Sequence, residues 1–256
     1  MSFKEIHKTA LMLNKSKYFP TLCINLFLFL FFAFITVAVA LSDYLITGHN
    51  TVLNDTFYIN LIRISVFVIL TIVSCIVLSS VSVGQTAVFF GRVNRKKASF
   101  KRIVYWLKPS KSLKAFGLSI CILLLKALWT IAFMLPGSIV LSAIIYLAFT
   151  GGIEIYLFIS LAVSGIALII SGCSFAFIIS QRYFLARYLL SENPGLKIIQ
   201  VIKQSKNLME YQLMTVVKFK LSFVLPLIFS FFIIPIIFLY PHYKQSLSVL
   251  AKELTV

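Results

Sequence analysis

Acid is what this sequence has least of. Seven Asp and Glu stand against 24 Lys and Arg in 256 residues, a net charge of +17. Glu5, Asp43, Asp55, Glu154, Glu192, Glu210 and Glu253 are scattered, and none lies deep inside an apolar run. Paired intramembrane carboxylates are therefore excluded. The three histidines, His7, His49 and His242, are far apart and make no HExxH or other metal spacing. Cys23, Cys75, Cys121 and Cys173 fall one per apolar segment without a CxxC, which suggests neither a metal site nor a disulfide framework. They read as small lipid-facing or helix-facing residues. No P-loop and no GxSxG is present. Without a nucleophile or metal ligands, neither an enzyme nor a cofactor is expected.

Apolar sequence is what fills the chain. Sixty per cent of the residues are hydrophobic and 12% charged, where a soluble domain carries roughly a quarter charged residues. The mean hydropathy is +1.00. Several runs exceed the roughly 18 to 20 residues that cross hydrocarbon. The expected class is all-α: one polytopic helix bundle over residues 1–256, with no stretch left for a soluble domain. In a soluble chain this charge would suggest nucleic acid. Here the basic residues are juxtamembrane, so anionic headgroups are the expected partner and nucleic acid is not.

The segment Gly91 to Lys114 holds nine Lys or Arg and no acid between two apolar runs. Such a loop stays cytoplasmic and orients every other loop. Met1 to Pro20 is a basic, partly amphipathic lead, placed in the cytoplasm. Thr21 to Leu41 is the first span, in preference to a signal peptide cleaved near Ala38-Val39-Ala40. Ser42 to Tyr58 is an outer loop, and residues 64–90 the second span. Residues 116–149 hold Pro136-Gly137, and as one helix would be about 51 Å long against roughly 30 Å of hydrocarbon. Two spans joined at Pro-Gly would put the later basic region outside. One crossing kinked at Pro136, with part of the helix beyond the bilayer, is the better reading. Residues 153–180 and 221–240 are the fourth and fifth spans. Between them Asn193-Pro194 reads as a helix start. The helix runs to about Tyr211 and shows Ile198, Ile199, Ile202 and Met209 on one face.

This map leaves twenty of the 24 basic residues cytoplasmic; the exceptions are Arg63, Lys126, Lys244 and Lys252. Five crossings put the tail outside. A re-entrant segment or sixth crossing between Leu221 and Leu250 would bring it back inside. Lys126 is either a mid-membrane cation, hence an intramembrane polar site, or an interfacial residue beside Trp129. Arg92, Arg95, Lys96, Lys97, Lys203 and Lys206 are the expected headgroup contacts. Gly84, Gly165, Ser171, Gly172 and Ser174 are small residues expected at close helix contacts. Leu13 to Phe19, Leu107 to Leu113 and Ile202 to Leu208 resemble one another. They suggest a repeated unit of basic amphipathic helix and span.

Two regions carry a resemblance. The first is Gly84-Gln85-Thr86-Ala87-Val88-Phe89-Phe90, then Ala98-Ser99-Phe100 and Leu128 to Gly137. The second is Tyr188-Leu189-Leu190-Ser191-Glu192-Asn193-Pro194, then Lys203 to Met209, Leu221-Ser222-Phe223 and Tyr240-Pro241-His242-Tyr243. In this order they resemble a family of bacterial multi-pass membrane proteins, domain of unknown function nine-seventy-five. An extra apolar stretch, about Ser138 to Ile170, departs from its pattern. The resemblance implies class and a bacterial plasma membrane, and supplies no site. A non-enzymatic scaffold or envelope-associated protein, with a membrane-protein partner or a second copy, is the expected function. The alternative is a transporter or permease subunit moving a small solute or lipid.

Overall fold

The computed structural model describes residues 2–15, 37, 41, 56–94, 101–151, 154–224, 226 and 233–255. Every regular element among them is helical: α1 (Phe3–Lys15), α2 (Thr56–Val93), α3 (Lys101–Trp106), α4 (Pro109–Phe149), α5 (Ile155–Ser180), a 3-10 turn (Gln181–Tyr183), α6 (Ala186–Glu192), α7 (Ile198–Leu208), α8 (Leu213–Leu221) and α9 (Ile233–Glu253). Three stretches are long and apolar enough to cross a membrane: Ile64–Val93, Pro109–Phe149 and Ile155–Glu192. The predicted first span, 21–41, lies outside the described residues.

The long helices satisfy their own polar groups. In α2 the hydroxyls of Ser65, Thr71, Ser74, Ser79, Ser80 and Thr86 each donate to the carbonyl four residues back. Hydroxyls bonded in this way can face lipid without a partner on another helix. α4 runs as one helix of 41 residues through Pro136. It ends on Gly151, whose φ of 71° is the left-handed conformation that stops a helix.

The chain divides into two compact units. The first contains Met1–Leu118, Arg187–Ile198 and Ser222–Val256. Its helix α1 is started by a capping box: Glu5 N–H donates to Ser2 Oγ and Ser2 N to Glu5 Oε2. The i, i+4 pair Ile6 and Ala10 is buried, and α1 and α2 both pack on α9. The basic loop is not unstructured: within it α3 buries Ile103 and Trp106. Ile103 reaches α2 because residue 84 is glycine; a Cβ there would lie 2.9 Å from Ile103 Cα.

The second unit contains Ser119–Ala186 and Ile199–Leu221. Here α4 and α5 pack through glycine. A Cβ at Gly137 would lie 2.9 Å from the backbone nitrogen of Ile169, one at Gly165 would meet Leu141, and one at Gly172 would strike the Phe133 carbonyl. Ser171 and Ser174 are exposed instead and bond back to their own helix. Only the glycines of those expected pairs form the seam.

Three expectations are corrected. The helix after Asn193-Pro194 begins at Ile198 and ends at Leu208. Asn193 accepts the Leu196 N–H in a tight turn instead (3.2 Å), with proline and glycine as its central residues. Its buried residues are Val201 and Ser205, followed by Met209 in the turn beyond, while Ile199 is 79% exposed. Second, the segments read as repeats differ: Leu107 to Leu113 straddles a turn and the start of α4, Ile202 to Leu208 lies inside α7, and 16–19 fall outside the described residues. Pro109 suits a helix start and not a helix interior.

Third, residues 221–240 do not run as one straight crossing. The Phe223 ring is 5.0 Å from that of Tyr243 and 5.9 Å from that of His242. Twenty residues of straight helix would separate those positions by about 30 Å. Phe223 instead lies beside His242 and Tyr243; residues 225 and 227–232 lie outside the described set.

The glycine seam gives a direct expectation. Gly172→Val should lower the melting temperature in detergent by several degrees, because the blocking atom is backbone and cannot rotate away. Ser171→Val, next door and exposed, should leave it within about a degree. Equal effects would remove the seam from the account.

Candidate functional site

The first unit is centred on the last turns of α9. Gln245, Ser246, Leu247, Ser248, Val249, Leu250 and Ala251 are buried in succession, so this helix is enclosed on all sides although three of the seven are polar. Gln245 Nε2 donates to the Phe89 carbonyl at 3.4 Å, while its Oε1 and the Ser246 hydroxyl have no hydrogen-bond partner among the described residues. Ser248 donates to the Lys244 carbonyl and is hydrogen-bonded by the buried Tyr188 hydroxyl. Lys252 Nζ donates to the Val93 carbonyl at 3.4 Å. That caps the C-terminus of α2 with a cation, as its dipole favours.

One level up, two cations face this core. Arg187, from α6, donates from Nη1 to Ser82 Oγ of α2 at 3.3 Å. Lys244 sits over the Tyr240 ring, 5.4 Å from its centroid. Burial first, and then the Arg187 charge, pushes the Lys244 pKa down to about 8. Among the described residues, Tyr188 and Tyr240 act on Arg187, and Arg187 acts on Lys244.

Beyond them, His7 of α1 and His242 of α9 meet, Nδ1 to Nε2, at 3.3 Å. Phe223 packs on both rings. Only one nitrogen of that contact can hold the proton, so the pair is bonded when at least one ring is neutral. His242 Nδ1 is buried with no hydrogen-bond partner among the described residues. No group of three or more potential metal ligands exists among the described residues.

A separate cavity of about 200 Å³ opens near the start of α3, lined by Ala87, Arg102, Tyr105, Trp106, Glu192 and Pro194 among others. Its charged groups are already engaged. Arg102 donates to the Ala87 carbonyl at 3.0 Å and Asn94 to Glu192 Oε1 at 3.3 Å. Lys114 donates to the Pro194 carbonyl at 2.7 Å.

In the second unit a polar collar follows α5. Trp129 donates to the Tyr183 hydroxyl at 3.3 Å, and Ser205 to the Arg182 carbonyl at 2.8 Å. Lys220 donates to Gln181 Oε1 at 2.5 Å and lies over the Phe184 ring. Lys126 is exposed one turn before Trp129, so along α4 it lies at or past the level of this collar.

The residues expected at headgroups are dispersed. Lys203 and Lys206 are exposed on α7. Arg92 is instead 6% exposed, with its guanidinium over the Phe89 ring, and burial is a correction to its expected lipid-facing place. Arg95, Lys96 and Lys97 lie outside the described residues. What sequence reading missed is the cluster of Arg187, Lys244, His7 and His242. Histidines 235 residues apart give no spacing signal. The available clue was the stretch Gln245 to Ala251, in which three polar residues are interleaved with apolar ones. Compared with known families, curated proteins and solved structures, the chain matches none.

Burial holds both histidine pKa values below the ordinary 6.5, and His7 lowers that of His242 further. The unfolded chain keeps ordinary values and binds protons first as pH falls, so stability declines below about pH 6.5. Thermal melts in detergent should show this between about pH 7.5 and 5.5, with a smaller decline in His242→Gln. An unchanged pH slope in that variant would dissociate the pair from the effect.

Proposed function

We propose that this chain is a non-enzymatic integral membrane protein of a bacterial plasma membrane that scaffolds a membrane-protein partner or a second copy of itself. The observation that carries this reading is the first unit. It ties the N-terminal helix α1, the end of α2 and the C-terminal helix α9 into one polar-laced core, while Lys203 and Lys206 are exposed on α7. Three helices tied together in this way make a fixed platform. The motifs behind the family resemblance also converge here: Phe90 packs on Tyr188 at 5.4 Å, and Phe89 accepts from Gln245, two residues past the Tyr240 to Tyr243 motif. That supports keeping the resemblance as part of the proposal.

The topology follows from the same contacts. The nine-cation loop is cytoplasmic by the positive-inside rule. Lys252 reaches Val93 beside that loop, and His242 reaches His7 of the basic lead. We read α1 and α9 as lying on the cytoplasmic face, with Phe223 on the same side as Tyr243 in place of a fifth crossing. Lys126 is interfacial: the roughly 20 residues from Trp129 to Phe149 span about 30 Å, leaving the start of α4 outside hydrocarbon. Lys203 and Lys206 are the headgroup-facing cations; Arg92 is not among them.

Two experiments test this. Affinity purification from native membranes in mild detergent should recover one reproducible partner, or a second copy, and Lys203→Glu with Lys206→Glu should deplete it several-fold. Recovery of nothing reproducible removes the scaffold reading. In a cysteine-free background, Lys206→Cys and Glu253→Cys should both resist an impermeant reagent applied to intact cells. Labelling at 253 alone would restore a fifth crossing.

A further inference from the structure

We propose that the cavity lined by α2, α3 and α6 binds a small zwitterion that carries a primary ammonium and a phosphate-type oxyanion, the chemistry of a phosphoethanolamine headgroup. All of its lining residues belong to the first unit. Two of its walls differ in kind. α3 supplies Arg102 and Tyr105, which can donate hydrogen bonds. The end of α6 and the turn after it supply Ser191, Glu192 and Pro194, which offer acceptors. An arginine and a glutamate on one small cavity attract each other. Here each is tethered to α2 or to the residue after it instead. Arg102 donates to the Ala87 carbonyl at 3.0 Å and lies against Gly91, where a Cβ would fall on its Nη1. Glu192 accepts from Asn94 at 3.3 Å. The space they line measures about 200 Å³, below the roughly 300 Å³ at which drug-sized pockets begin. It suits a small ligand.

Both tethered groups keep capacity for a ligand. The guanidinium has five donors in a planar fork and spends one on Ala87. Tyr105 adds a hydroxyl, and Lys108 and Lys111 lie over its ring at 5.9 and 6.0 Å. These cations strengthen the positive potential at the α3 wall, where the oxyanion belongs. On the α6 wall Glu192 uses one oxygen for Asn94 and keeps the other. Ser191 donates to the Tyr188 carbonyl, so its oxygen can still accept. The Pro194 carbonyl takes Lys114 and has a second lone pair. Three acceptors match the three donors of an ammonium. A lone phosphate would face a carboxylate and a lone amine would face Arg102; one molecule with both charges suits both walls. The cavity also lies at headgroup depth. Ala87 is about 9 Å along the axis from the end of α2 at Val93. Two sources present this chemistry: a zwitterionic lipid and the free solute. The site does not depend on the scaffold reading, and its test uses no partner.

The experiment is a native mass-spectrometry and thermal-shift titration of the full-length protein in an uncharged detergent. The probes are short-chain phosphatidylethanolamine, short-chain phosphatidylglycerol and free phosphoethanolamine. Phosphatidylethanolamine, phosphoethanolamine or both should bind and raise the melting temperature of the wild type. Phosphatidylglycerol, which lacks the ammonium, should bind at least about tenfold more weakly, the loss of one charge-assisted contact. Response to the lipid alone assigns the source to the bilayer; response to phosphoethanolamine admits the free solute. Glu192→Gln should weaken zwitterion binding at least about tenfold while keeping an oxygen for Asn94. Glu192 is exposed, so this variant should melt with the ligand-free wild type, and lost binding there is not lost folding. Gly91→Ala should weaken binding as well, because its methyl displaces the Arg102 guanidinium without removing the charge. No response to either zwitterion would overturn the site. An equal response to phosphatidylglycerol would do the same, as would undiminished binding in either variant.

Discussion

A cation taken out of water needs a counterpart, and this chain offers seven carboxylates to 24 lysines and arginines. The described fold meets that deficit with other acceptors. Backbone carbonyls take Arg102, Lys114 and Lys252. Aromatic faces take Arg92, Lys108, Lys220 and Lys244. A carbonyl at a helix end is the best of these, since it already carries excess negative potential. That is why Lys252 settles on Val93, and the choice fixes where α9 lies. The register of the first unit follows from it: Gln245 falls beside Phe89, and His242 falls beside His7.

The class of fold was legible in the sequence because lipid allows so few structures. Long apolar runs must be helices there, and their polar backbone must be satisfied within them. The continuity of α4 through Pro136 was legible through charge, not through propensity. Proline removes one hydrogen bond, whereas a second crossing would have moved seven cations across the membrane. The glycine contacts were half legible. Composition marks small residues, but only the fold distinguishes Gly172, pressed on the Phe133 carbonyl, from Ser171, which faces outward.

The candidate site was not legible, for a geometric reason. Its members come from α1, α2, α6 and α9, and no periodicity links residue 7 to 242 or 82 to 187. The same holds for the return of the chain at Phe223. A 20-residue apolar run between basic segments reads equally well as a crossing or as a hairpin, since hydropathy measures length along the chain and not distance in space. Aromatic contacts between Phe223 and Tyr243 discriminate where hydropathy cannot.

The scarcity of acid itself remains to be explained. The positive-inside rule counts lysine and arginine and is nearly indifferent to Asp and Glu. Topology would therefore have tolerated carboxylates among these cations. Stability would have favoured them near Arg187 and Lys244, where an ion partner offsets desolvation. A hydroxyl and a ring take that place: Ser82 accepts from Arg187, and Lys244 lies over Tyr240. Among the described residues the buried oxygens of Gln245 and Ser246, in the same helix, lack a hydrogen-bond partner, and each costs about 1 to 3 kcal/mol as an unsatisfied group. Leu247, Val249, Leu250 and Ala251 are buried in the same turns of α9, and their removal from water offsets that cost.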